Sequence, residues 1–258
     1  MKITSFDDTK IAVYDSGGPN RPAILFSHHM GGNAAFWNGQ DEALRADFRI
    51  IRYDSRGHGA SDAPPGPYTA AMLGRDAHAV LAALDIGQAH FVGISQGGMA
   101  GMWLAARHPE KVDRLVLANT TPFVPNKAPW DGLIARARAE GMAAIASETI
   151  GGWLSDGFKR REPAKVEAMV AVMAAMKVEG YAGACAMLRD VDLRPVLEQI
   201  EAPTLVIGGA EDGPRGAAGP LMAEAIPGAT LQVLPGAAHL SAVENPAAFN
   251  RALREHLG

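Results

Sequence analysis

The sequence has a single cysteine, Cys185, among its 258 residues. One thiol forms no internal disulfide and supplies no thiolate cluster for a metal. It lies in "YAGACAMLRD", whose small apolar neighbours predict a buried filler residue. No block of lysines and arginines occurs and the formal net charge is -4, so a nucleic-acid partner, which calls for a concentrated basic face, is not expected. No apolar run approaches the roughly 20 residues of a membrane span. The opening "MKITSFDDTK" has no apolar signal region, so the expected location is cytoplasmic and no membrane partner is expected. What is there, 48% hydrophobic and 20% charged residues, is the composition of a globular chain with one sizeable core.

Seven short aliphatic or β-branched runs stand out: "KIAVYDSGG", "AILFSHHM", "RIIRYDSRG", "HFVGIS", "RLVLANT", "TLVIGGAED" and "TLQVLPGAAH". Each ends at glycine or polar residues, which predicts buried strands of a mostly parallel central sheet. Helical segments alternate with them. "TAAMLGRDAHAVLAALDIG" carries apolar residues at helical spacing. "GMAGMWLAARHPEK" should stop at His108, before Pro109. In "ENPAAFNRALREHLG", Asn245 is the expected N-cap and Pro246 the first helical residue. The alternation predicts an α/β fold with helices on both faces. Residues 121–191 break it with helix formers alone. We read them as a helical lid inserted into a core domain made of 1–120 and 192–258, over the strand C-termini where crevices form.

"HFVGISQGGMAG" puts Ser95 between an expected strand and an expected helix. A sharp turn there exposes the hydroxyl and crowds the positions two before and two after, which are Gly93 and Gly97. This G-x-S-x-G arrangement is a nucleophile elbow. A serine needs a base, and His239 is placed best, in a loop between the last strand and the C-terminal helix. The acid that orients it should follow a strand between the two: Asp212, with its neighbour Glu211 as the rival. The other location, after "RLVLANT", holds Asn119, which cannot replace an ionised carboxylate. The amide of Gln96 at the helix start and that of Met30 in the glycine-bearing loop "LFSHHMGGN" are the expected oxyanion donors. Adjacent His28 and His29 should point apart, so no metal site is expected.

With Ser95, Asp212 and His239 in that order, the chain resembles the α/β-hydrolase-fold enzymes, and "YDSRGHGASD" resembles their R-G-x-G-x-S turn. The runs "GISQGGMAGMWLAARHPEKVDRLVLANT", "LRDVDLRPVLEQIEAPTLVIGGAED" and "GAAHLSAVENPAAFNRAL" resemble 3-oxoadipate enol-lactonases. That resemblance implies opening of a carboxylate-bearing enol-lactone in aromatic catabolism by a Ser-Asp-His triad, with no cofactor. Two stretches depart from the pattern: His29 stands where many superfamily members carry glycine, and "EDGPRGAAGP" is rich in glycine and proline beside the acid. A carboxylate on the substrate would want a cation from the lid, and Lys127, Arg136, Arg138 and Arg189 are the candidates by location. Trp130, Trp153 and Tyr181 either line an apolar pocket or pack the lid. The same triad serves a carboxylesterase, a cofactor-free perhydrolase or haloperoxidase, or a carbon–carbon bond hydrolase. A non-catalytic ligand-binding protein on this fold is the rival of another class. An apolar lid surface and a homo-oligomer patch look alike in sequence, so both stay open.

Overall fold

Each of the seven apolar runs becomes a strand, and three residues near the N-terminus add an eighth. In chain order the computed structural model, which describes all 258 residues, has strands β1 (Lys2–Thr4), β2 (Lys10–Ser16), β3 (Ala23–Ser27), β4 (Arg49–Tyr53), β5 (Ala89–Ile94), β6 (Val112–Ala118), β7 (Thr204–Gly209) and β8 (Thr230–Leu234). The helices of the alternating part are α1 (Asn38–Leu44), α2 (Ala70–Ala83) and α3 (Gln96–Arg107). Between β6 and β7 come α4 (Ala128–Glu140), α5 (Met142–Gly151), α6 (Asp156–Arg161), α7 (Pro163–Ala174) and α8 (Val178–Asp190). The chain closes with α9 (Ala218–Ala225), α10 (Ser241–Glu244) and α11 (Pro246–Leu257).

The strands form one sheet in the order β1-β2-β4-β3-β5-β6-β7-β8. β1 and β2 pair antiparallel, as do β2 and β4; every later pairing is parallel. Both faces of the central strands are covered, so β3 and β5 are buried at every residue and read as unbroken apolar runs. β8 lies at the edge and leaves Val233 exposed. β1 pairs only three residues and buries only Ile3, which is too little periodicity to stand out.

The helix boundaries follow local chemistry. α3 ends at Arg107, with His108 as its C-cap before Pro109. Asn245 caps α11, its side chain accepting from the Ala248 amide, with Pro246 at the first position. The helical run of residues 128–151 divides in two. Gly141 at φ +79° breaks it into α4 and α5, a conformation that glycine adopts without penalty. Residues 121–191 contain no strand; an isolated bridge pairs Phe123 with Asp192, the residue that follows them.

The order of the strands reverses around β3: the chain leaves it sideways to β4, then returns to its other flank as β5. Loops diverge at such a point and open a crevice at the strand C-termini. The loops after β3, β5, β6, β7 and β8 all reach this one end of the sheet, and they carry the residues below.

Candidate active site

Ser95 follows β5 directly and precedes α3, at φ +55° and ψ −121°. A residue with a side chain adopts this conformation only where its surroundings hold it there. The crowding expected around it is present. A Cβ at Gly93 would collide with the Gly97 carbonyl, and one at Gly97 with the Ser27 carbonyl. Thr120 Oγ1 donates to the Ser95 carbonyl at 2.6 Å and holds the turn from the neighbouring strand.

His239 Nε2 lies 3.1 Å from Ser95 Oγ. Its Nδ1 lies 3.1 and 3.0 Å from the two carboxylate oxygens of Asp212. A carboxylate at neutral pH only accepts, so Nδ1 carries the hydrogen and Nε2 faces the serine hydroxyl as an acceptor. Asp212 is buried, whereas the rival Glu211 is exposed. Asn119, set aside as an acid, donates from Nδ2 to Asp212 Oδ2 and to the Ala238 carbonyl, each at 3.0 Å. It therefore holds the Asp212 carboxylate in place.

The histidine loop has a second support. The buried carboxylate of Glu244 accepts from the amides of Ala238 and Leu240, at 3.0 and 3.2 Å, on either side of His239. It also accepts at 2.8 Å from the Ser155 amide, between α5 and α6. The His239 amide donates to the Trp153 carbonyl at 2.9 Å, a second tie between the two segments.

Three buried histidines hold the loop after β3. Nδ1 of His28 lies 2.7 Å from the His29 carbonyl, Nδ1 of His29 lies 2.7 Å from the Met30 carbonyl, and Nδ1 of His58 lies 2.9 Å from the Arg56 carbonyl. Carbonyls only accept, so each Nδ1 is protonated. Nε2 of His28 then accepts from the Ser55 amide at 3.0 Å, and Nε2 of His58 from the Gly31 amide at 3.1 Å. Burial disfavours the charged rings. It takes His28 well below the ordinary value, His29 down to about 3 and His58 down to about 4. The three are neutral spacers of this loop. The Met30 amide makes no hydrogen bond within the chain, and the Gln96 amide, first in α3, has no partner in its own helix.

Ser95, His239, Met30 and Asn119 line a cavity of about 500 Å³. Trp130 and Trp153 line it too, and the Trp153 ring lies 5.9 Å from that of His239. Tyr181 does not; it is fully buried, as is Cys185, whose thiol burial pushes up to about 12. The cations named from sequence need correction. Arg138 pairs with Glu179 at 2.8 Å, and Arg189 pairs with Asp190 at 2.7 Å and with Asp131; neither touches the cavity. Arg136 is paired with Glu140 and Glu148, and Lys127 is also outside. Only Arg136–Glu140 is a pair one helical turn apart; Arg136–Glu148, Arg138–Glu179 and Arg189–Asp131 join different helices. The permanent charges on the cavity wall are instead Arg194 and Arg215. Arg215 had a signal in sequence: it lies three residues past Asp212, in the Gly/Pro-rich stretch beside the acid.

No single helix is long and apolar enough to cross a membrane. The family described as the alpha/beta hydrolase fold matches residues 22–142. The chain is 40% identical to 3-oxoadipate enol-lactonase 2 of Acinetobacter baylyi, over 98% of this chain and 97% of that one. A solved hydrolase from Pseudomonas aeruginosa is 42% identical with a TM-score of 0.96, covering 100% of this chain and 98% of that one. The enol-lactonase from Burkholderia xenovorans is 35% identical with a TM-score of 0.95, covering 100% and 99%. The likeness thus runs through the sheet, the loops at its C-terminal end and the helices between β6 and β7 alike, and this chain belongs to the α/β-hydrolase fold family of enzymes.

Proposed function

We propose that this protein is a serine hydrolase that opens a carboxylate-bearing enol-lactone of the 3-oxoadipate type. The observation that carries the reading is the hydrogen-bonded line Ser95–His239–Asp212, whose first two members line a cavity with two permanent charges, both positive. The full-length likeness to enol-lactonases supports the substrate class.

In this reading His239 Nε2 takes the proton of Ser95 Oγ as the oxygen attacks the lactone carbonyl. The amides of Met30 and Gln96 receive the oxyanion. Collapse breaks the ring C–O bond, and the imidazolium returns its proton to the departing enol oxygen. Both halves of the substrate stay on one acyl-enzyme. His239 then deprotonates water, which attacks the acyl carbon and releases Ser95 and a dicarboxylate. The cycle calls for no metal or cofactor, and its partner is a small molecule. Residues 121–191 act in it as a lid, with Trp130 and Trp153 forming apolar wall against the ring.

The test compares kcat/KM for 3-oxoadipate enol-lactone with that for a short-chain p-nitrophenyl ester, in wild type and Ser95→Ala. The lactone should be preferred, and the variant should lose about a thousandfold or more on both. Ester turnover without lactone turnover would keep the serine and discard the lactone. A loss under roughly tenfold in Ser95→Ala would discard the serine.

A further inference from the structure

We propose that Arg215 is the cation that receives a substrate carboxylate, and that it makes this enzyme prefer esters and lactones bearing an anion. The proposal rests on the hydrolase reading above. The residues on the cavity wall include two permanent positive charges and no carboxylate, so an anionic ligand touches cations there and no acid.

The two arginines differ in how far their charge is already spent. Arg194 makes a bidentate pair with Asp192 at 2.9 and 2.6 Å, and its guanidinium lies 3.9 Å from the centroid of the Phe123 ring. Planar fork and face are both occupied. Arg215 has only a long hydrogen bond, 3.3 Å from Nη1 to the Gly152 carbonyl. The nearest carboxylate oxygen, Asp212 Oδ1, is 3.9 Å away, and both Asp212 oxygens already face His239. A guanidinium has five N–H donors in a fixed fork, so most of those of Arg215 are unclaimed.

Its place on the chain suits the task. Arg215 lies in the short turn Gly213–Ala217 between Asp212 and α9, which Gly213 enters at φ +58°. Pro214, Arg215 and Ala217 from this turn, with Ala218 at the start of α9, line the cavity beside Ser95 and His239. A carboxylate held there sits in the chamber of the reacting carbonyl, with a bidentate fork available to orient it.

The measurement is a ratio: kcat/KM for mono-4-nitrophenyl glutarate, an anionic half-ester, over that for neutral 4-nitrophenyl butyrate. Both esters use one triad, so any disturbance of Asp212 cancels. Wild type should favour the anion. Arg215→Gln should lower the ratio by about tenfold or more, and Arg215→Lys should restore part of it. Arg138→Gln, paired with Glu179 and not on the cavity wall, is the control. An unchanged ratio in Arg215→Gln overturns the proposal, and so does a fall produced by Arg194→Gln in its place. Calorimetric titration of the Ser95→Ala protein with glutarate reads the same subsite without turnover, and Arg215→Gln in that background should weaken it by a similar factor. Failure of the lactone with the anion preference intact would sink only the enol-lactone reading; an anion preference that Arg215→Gln leaves in place would sink only this one.

Discussion

Asn119 shows how much one amide can settle. It stands at φ +41°, donates to Asp212 and the Ala238 carbonyl, and accepts from Ser241 Oγ. The acid and the histidine loop are thus referenced to one rigid side chain at the end of β6. Asn119→Ala leaves the carboxylate free to rotate away from His239, so kcat on a p-nitrophenyl ester should fall about tenfold while KM moves less. An unchanged kcat would mean that Asp212 needs no such support. None of this was legible in the sequence, where Asn119 is only a residue that cannot be the acid. Its partner is 93 positions away and arrives through the pairing of β6 with β7. The arginines failed for a related reason. A charge on an expected helix shows its sign, and only folding shows that Arg138 meets Glu179 while Arg215 meets no carboxylate at close range.

At the level of elements, the loop that carries His239 is held from below by one carboxylate. Glu244 takes the amides of Ala238 and Leu240 on one oxygen and that of Ser155 on the other. Glutamine has one acceptor oxygen and turns an NH₂ group toward donors. Glu244→Gln should therefore cost roughly 1–3 kcal/mol in denaturant unfolding, the penalty of a buried unsatisfied donor. It should also lower kcat beyond any change in KM; stability and kcat both at wild-type level would contradict this. The strands themselves were legible because central strands are buried on both faces and write their length as apolar runs. β1 was not, with one buried residue in three. The elbow was legible because its glycines have a steric reason. Where one lid helix stops and the next starts was not legible, because a lone glycine such as Gly141 in a helical pattern is ambiguous until its φ is known.

Across the molecule, the loop after β3 depends on neutral histidines contributed by two separate stretches of chain. In the unfolded chain each would titrate near 6.5, whereas folding takes His58 to about 4 and His29 to about 3. Below 6.5 the unfolded chain binds protons that the fold refuses. The stability these rings contribute is whole above about 6.5 and is lost as pH falls toward their folded values. Each removes about 1.4 kcal/mol per pH unit inside that window. The slope of unfolding free energy between pH 6 and pH 5 should be shallower by about that amount in His58→Gln. An unaltered slope would show that this ring is not held neutral.

The claim on which the whole account turns is that Ser95 is a nucleophile activated by His239. Mass spectrometry after reaction with a fluorophosphonate tests it most directly. One adduct is expected, on the peptide carrying Ser95, absent from Ser95→Ala and formed about a hundredfold or more slowly in His239→Ala. An adduct on another residue, or none from a preparation that hydrolyses esters, would contradict it.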